Sequence, residues 1–345
     1  MTINDIARIC GVTKGTVNRA LHDKPGISSK TKAKILRVVE EQGFSPDHRA
    51  KSLATGKTQT IGLLLPNIVN QAFATIATLI ENEFWGKGYL LHLALSNDDA
   101  SREERYLSFF LNRKIDGLIV FPVNRETQGL KRIVDAGIPM VILLNDLVIP
   151  GADSVLLDEK NSFASLTRYI LSLGHRRILY LDGYRRYTKR YNDHINRERY
   201  AGVLEAFREA GLDPAAALST LEFDPLFYGS DDMKPLESCF SGRRRPSAVI
   251  CFHDRIAVWL MVRLGRAGFR VPEDISLTGF DDIAELQDLK PGLTTLRNPL
   301  SAVAHGALQL LLEQLGTGKK PGTRIVLETE LIIRESCRRV TFQKT

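Results

Sequence analysis

"TIGLLLPN", residues 60–67, is where the chain changes character. Before Thr60 apolar residues recur every three or four positions; after it they come in short solid runs. "YLLHLALSND" (89–98), "IDGLIVFPVN" (115–124), "PMVILLND" (139–146) and "SVLLDEKN" (154–161) follow. "RRILYLDG" (176–183), "LSTLEFD" (218–224), "PSAVICFHD" (246–254) and "ISLTGFDD" (275–282) continue the series. Such runs, separated by helical stretches, predict a β/α alternation with buried parallel strands. Two successive sets of about five strands are too many for one compact sheet, so the pattern predicts two lobes with a cleft between them. Nearly every run closes on Asn, Asp or His, at the carboxyl edge where open α/β sheets line a ligand crevice. Any one of these residues could equally cap a helix or form a turn. The whole series is what points to a cleft.

Upstream, Ile6, Ala7 and Val12, then Val17, Ala20 and Leu21, then Ile35, Val38 and Val39 fall at helical spacing in three segments. Thr2, Thr13 and Ser28 can cap the starts, and Gly11 and Gly43 the first and third ends. With its apolar residues turned inward, the second helix must turn Lys14, Gly15, Asn18 and Arg19 outward. Residues 1–60 hold eleven Lys/Arg against five Asp/Glu, a balance of +6, while the whole chain carries 47 against 40, or +7. A basic excess confined to a small helical head suggests a polyanionic partner for that head.

At 345 residues and 43% hydrophobic content, the chain can bury a large core in two or three domains. No apolar run reaches the roughly 18–20 residues of a membrane span, and the N-terminus lacks a signal-peptide hydrophobic region, so a cytoplasmic protein without membrane contact is expected. Cys10, Cys239, Cys251 and Cys337 stand apart with no CxxC spacing, and the histidines are scattered, so neither disulfide nor metal framework is implied. No HExxH, GxSxG or GxxxxGK[ST] occurs, and "GTGKKPG" (316–322) lacks P-loop spacing. In "CFHD" (251–254) a strand would place Cys251 and His253 on one face and Asp254 on the other. That suits the lining of a cleft better than a nucleophile with its base, and the chain reads as a non-enzyme without cofactors.

The order of these parts resembles the LacI/GalR family of bacterial transcription regulators over nearly the whole chain. "INDIARICGVTKGTVNRAL" (3–21) is similar to the family's helix-turn-helix, "GFSPDHRAKSLATGKTQTIGLLLP" (43–66) to its hinge and first strand, and "ISLTGFDDIAELQDLKPGLTTL" (275–296) to its late cleft and crossover segment. The resemblance implies a helix-turn-helix head (1–45), a hinge (46–58) and an effector-binding and dimerisation body (59–345) like periplasmic sugar-binding proteins. Lobe 1 is expected at about 59–160 and 291–322, lobe 2 at about 161–290 and 323–340. A homodimer on palindromic operator DNA is implied, a repressor whose affinity changes when a sugar or sugar derivative enters the cleft.

Carried over by motif position, Lys14, Gly15 and Arg19 occupy base-reading places, while Thr13, Thr16 and Asn18 suit phosphates. Gly15 stands where relatives place a side chain, so either the backbone approaches the bases or that pair goes unread. In the hinge, Leu53 matches a leucine wedged into the minor groove, flanked by Ala50 and Lys51, with Arg49 nearby. In the cleft, Phe73, Arg199 and Asp281 match an aromatic contact and two polar anchors; Asn145, Asp158, Phe223 and Asp254 are further strand-end candidates. "YRRYTKRYNDHIN" (184–196) reads as a solvated loop or as a basic lid over a sugar phosphate or sugar acid.

Overall fold

The computed structural model describes residues 1–21, 23–44, 56–182, 193–222, 234–242, 245–318 and 322–340. It divides into two compact units, residues 1–59 and 60–345.

Among the described residues the first unit has three helices, α1 (Ile3–Cys10), α2 (Lys14–Leu21) and α3 (Ser29–Glu41). Thr2 and Asp5 form a reciprocal capping box at the start of α1, and Gly11 closes it at φ 68°. Ser28 caps α3 by accepting the Thr31 N–H, and Gly43 follows it at φ 57°. Ile6, Ala7, Cys10, Val17, Ala20 and Ile35 make the core, with Val12, Leu21, Val38 and Val39 packed at its rim. Each helix buries only one stripe, so the opposite face of α2 is left to solvent.

The second unit begins at β1 (Thr60–Leu65) and alternates strand with helix: α4 (Gln71–Trp85), β2 (Leu90–Leu95), α5 (Ala100–Arg113), β3 (Gly117–Val120), α6 (Gln128–Asp135), β4 (Met140–Leu143) and β5 (Asp153–Leu157). Then come α7 (Glu159–Ser172), β6 (Ile178–Asp182), α8 (Asp193–Glu209), a one-turn α9 (Pro214–Ala217), β7 (Leu218–Glu222), α10 (Lys234–Phe240), β8 (Ala248–Cys251), α11 (Asp254–Arg266) and β9 (Ser276–Asp281). The chain finishes with β10 (Thr294–Arg297), α12 (Leu300–Thr317), β11 (Arg324–Leu327) and β12 (Glu330–Ile332). The strands form two six-stranded sheets, β11-β5-β4-β3-β1-β2 and β12-β10-β9-β8-β6-β7. All pairings are parallel except β10 with β12. Interior strands such as β3, β4, β6 and β8 are buried along their whole length, whereas the edge strands β2, β7, β11 and β12 are partly open. Interior runs are therefore unbroken and apolar, whereas the edge strand β2 is nearly as apolar and yet leaves Leu90 and Leu93 exposed.

Three chain crossings join the sheets, and two fall elsewhere than the expected boundaries. Residues 294–297, placed by sequence in lobe 1, pair with β9 in the second sheet (Thr295 opposite Gly279). Residues 324–327, placed in lobe 2, pair with β5 in the first sheet (Val326 opposite Leu156). The crossings therefore lie after β5, after β10 and between β11 and β12. The last two strands are only four and three residues long, and each opens on a charged, exposed residue followed by half-exposed or exposed positions, so no apolar run marks them. Where α7 and α8 cross, Gly202 leaves no room for a side chain: a Cβ there would collide with the Lys160 carbonyl and the Ala164 N–H.

Candidate functional site

Two surfaces carry the polar residues singled out by the sequence. On the head, Thr13, Lys14, Gly15, Asn18 and Arg19 are exposed along α2 and Thr16 is half-buried. The Thr13 and Thr16 hydroxyls are 3.0 Å apart, and Thr13 Oγ1 also accepts the Thr16 N–H at 3.3 Å, so threonine is the cap of this helix. No acidic residue stands in its first turn. Lys14 and Arg19 thus extend from a helix whose N-terminal dipole already favours an anion. Around them the head is pinned internally: Lys34 donates to the Cys10 carbonyl at 3.0 Å, closing the end of α1. The Asp5 carboxyl sits below its usual range because the Thr2 backbone N–H donates to it. Arg49, Ala50, Lys51 and Leu53 lie outside the described residues.

The second surface is a cavity of about 200 Å³ inside the two-sheet unit. Its wall is built from carboxyl ends of strands in both sheets: Asn67 after β1, Phe121 and Val123 after β3, Leu144 after β4, Glu159 after β5, Phe252 and His253 after β8, Asp281 at the end of β9 and Asn298 after β10. Phe73 from α4 and Asn196 and Arg199 from α8 complete it. Phe73 meets Phe121 edge to face at 5.0 Å, giving the cavity an apolar wall.

Arg199 and Asp281 both line the cavity but do not form a hydrogen-bonded pair with each other. Arg199 is 6% exposed. Its Nε and Nη2 donate to the two Glu159 oxygens at 2.7 and 3.3 Å, and its Nη1 donates to the Phe252 carbonyl at 2.7 Å. The guanidinium carbon lies 3.8 Å from the Phe280 ring centre and 4.2 Å from that of Phe252. A planar, fully charged guanidinium suits this mixture of bidentate carboxylate and aromatic faces in a way lysine would not. Asp281 Oδ1 accepts from Asn298 Nδ2 at 2.7 Å. Burial pushes the Asp281 carboxyl well above its usual range; the charge of Asp254 adds to this and Arg199 opposes it. The Asn298 side-chain oxygen is buried and has no hydrogen-bond partner. Asp98 also lines the cavity, its carboxyl raised by burial and only partly relieved by Asn67 at 3.4 Å.

Three other candidates are placed elsewhere, each for a visible reason. Asp158 is the N-cap of α7, accepting the Asn161 N–H at 3.0 Å. Asn145 is buried, donating to the Pro122 carbonyl at 3.1 Å and accepting the Leu147 N–H at 3.1 Å. Asp254 is fully buried beneath the cavity, bonded to Thr295 at 2.5 Å and to the Ile283 N–H at 3.1 Å. Their sequence neighbours Glu159, Leu144 and His253 hold the lining positions instead. Phe223 and residues 184–192 lie outside the described residues; of the rest of that segment, Ile195 and Asn196 line the cavity. His194 Nδ1 stands 3.1 Å from Asp146 of the loop after β4. Among the described residues no cluster of His, Cys, Asp or Glu could hold a metal, and the four cysteines are unpaired.

Residues 2–47 match the model of bacterial regulatory proteins of the lacI family, and residues 167–337 match a periplasmic binding protein-like domain. Over 98% of its length the chain is 28% identical to the HTH-type transcriptional repressor PurR of Vibrio vulnificus, covering 99% of that protein. The fold is similar to the lac repressor dimer bound to operator and the anti-inducer ONPF, at 21% identity, with a TM-score of 0.82 over 98% of this chain and 99% of that one. A periplasmic binding protein/LacI transcriptional regulator of Alkaliphilus metalliredigens, solved with D-xylulofuranose, is 25% identical, with a TM-score of 0.68 over 81% of this chain and 99% of that one.

Proposed function

The chain belongs to the lacI family of bacterial regulatory proteins, and we propose that it is a cytoplasmic, non-enzymatic repressor whose dimer binds a palindromic operator and answers to a neutral sugar. It is an allosteric DNA-binding regulator of transcription. Lys14, Gly15 and Arg19 read base edges in the major groove, Thr13, Thr16 and Asn18 fix the phosphate register, and Arg49, Ala50, Lys51 and Leu53 serve the minor groove. Phe73, Arg199 and Asp281 contact the effector.

The observation that carries the effector class is the pairing of Arg199 with Glu159. Among the described residues Arg199 is the cavity's guanidinium, and its charge is matched by a carboxylate 2.7 Å away. Asp98, Asp281 and the free Asn298 oxygen add acceptors, and the phenylalanines add faces for C–H groups. Among the described residues such a site takes hydroxyl donors on an apolar ring and offers no unpaired guanidinium for a phosphate or carboxylate. On the described residues a neutral sugar is therefore favoured over a sugar phosphate or sugar acid. Described helices include none long and apolar enough to cross a membrane.

The test is fluorescence anisotropy of the full chain on DNA from upstream of its own gene, titrated with neutral pentoses, hexoses and their phosphates. The expected result is tight binding to one palindromic segment whose midpoint moves with a neutral sugar. Affinity no better than for scrambled DNA would overturn the regulatory reading, and a response to phosphorylated sugars alone would overturn the effector class.

A further inference from the structure

The corner at the end of β9 holds two consecutive non-glycine residues with positive φ, Asp281 at 120° and Asp282 at 56°. Conformations of this kind are strained for a side-chain-bearing residue and persist only where the surroundings over-determine them. Here the surroundings grip the corner from two sides. From within, Asp254 accepts the Ile283 N–H on Oδ2 at 3.1 Å, accepts the Asp282 N–H as well, and is anchored by the Thr295 hydroxyl on Oδ1 at 2.5 Å. Gly279 makes room for it, since a Cβ there would collide with Asp254 Oδ1. From the other side, the Asp282 carboxylate accepts Arg297 Nε on Oδ2 and Arg334 Nη2 on Oδ1, each at 2.7 Å. Arg334 is itself held by the Leu293 carbonyl at 2.8 Å, and Arg297 by Glu330 at 3.0 Å. Asp281, between the two grips, is left with its carboxyl on Asn298 and in the cavity wall.

We propose that Asp254 and Asp282 are positioning residues of the effector site: they touch no ligand, and together they force the backbone conformation that aims the Asp281 carboxyl into the cavity. The proposal rests on Asp281 being an effector contact. It gives the buried Asp254 a role that packing does not require, because a carboxylate out of water is costly unless its hydrogen bonds do something an apolar residue could not. It also ties the ligand to the crossings. Arg297 precedes the second crossing and Arg334 follows the third, so a shift of Asp281 on ligand binding is transmitted to both through one carboxylate.

The experiment uses the full chain and the variants D254A, D254N, D282A and D281N. Crystal structures without ligand are compared, and D-ribose, D-xylulose and cellobiose are titrated by calorimetry. In D254A and D282A, Asp281 is expected to leave the positive-φ region and lose Asn298. Affinity for whichever sugar the parent binds should fall about tenfold, the loss of one hydrogen bond. D254N should retain the corner, because its oxygen can still accept a backbone N–H while its amide donates to Thr295, and affinity should fall less than about threefold. Operator binding without sugar should match the parent in all four. Asp281 unmoved in both D254A and D282A overturns the proposal, as does a loss in D254N as large as in D254A; should D254A fail to fold, D282A decides. A D281N variant that binds sugar as the parent does would instead overturn the reading of Asp281 as an effector contact, whatever the corner does.

Discussion

The polar residues of the head and those of the cavity obey opposite rules. Lys14, Asn18 and Arg19 are exposed, and the core of the head does not include them. Glu159, Arg199 and Asp254 are buried: Arg199 is held by Glu159 and the Phe252 carbonyl, Asp254 by Thr295 and the Ile283 N–H, and Glu159 by both ends of the Arg199 fork. An exposed cation contributes to binding and little to folding, whereas a buried one contributes to both and cannot be removed alone. Substitutions should therefore be separable on the head and entangled in the cavity.

The largest expected effect tests the entangled side. Glu159→Ala strips the bidentate partner from Arg199 and leaves a guanidinium 6% exposed without its carboxylate. Breaking a buried pair from one side costs about 3–5 kcal/mol. Urea unfolding should show that loss, and Glu159→Gln, which still accepts one hydrogen bond, should lose less. Equal stability of E159A and the parent would mean the pair is solvated and the contrast is false.

A second effect on the same side is pH-dependent. Glu103 is 2% exposed, accepts the Val123 N–H at 2.6 Å and the Asn124 N–H at 3.3 Å, and so pins the loop that gives Val123 to the cavity. Burial raises its carboxyl to about 7, and that of Asp254 to about 6. Between the ordinary carboxylate range and these values the folded chain binds more protons than the unfolded one, so stability falls as pH rises from about 4.5 to 7 and then levels. The Glu103 share is on the order of 3 kcal/mol. Denaturant midpoints of Glu103→Gln measured from pH 5 to 8 should be flatter than the parent's; an identical slope would assign the dependence elsewhere.

On the head, Lys14→Ala or Arg19→Ala should weaken operator binding by about 1–3 kcal/mol wherever a base-edge contact disappears. Stability and sugar affinity should not move. A fall in thermal midpoint alongside affinity would erase the separation between the two regions, and unchanged operator affinity at fixed salt in both variants would displace the recognition helix.

The same contrast explains how much of the molecule is legible in its sequence. Head helices, caps and outward face follow from spacing, because on a small unit the face not buried is the face exposed. Nine strands and the carboxyl edge of the cavity were legible from apolar runs and their polar ends. Which residue of each end faces inward was not. The strand ends point to Asp158 and Asp254, while Glu159 and His253 line the wall, each one residue away. Side chains alternate along a strand, so one residue of uncertainty about where it ends reverses the face. The Asp281–Asp282 corner was equally hidden, since its φ values come from Asp254, Arg297 and Arg334, which are distant in sequence.

The smallest effect concerns Gly15, where the two regions' logic meets in one residue. It sits in the first turn of α2 with ordinary helical φ, and an added Cβ would find only Thr13 Oγ1, at 3.7 Å, a normal contact. Nothing in the folded head therefore requires glycine. Alanine should stabilise the helix by about 0.5–1 kcal/mol by restricting the unfolded chain. A glycine kept at that expense, between Lys14 and a polar face, fits a backbone that comes close to the bases, where a methyl group would intrude. Gly15→Ala should then raise the head's thermal midpoint and lower operator affinity, opposite signs from a single methyl. If midpoint and affinity rose together, or affinity did not change, position 15 would face no base pair, and reading would rest on Lys14 and Arg19 alone.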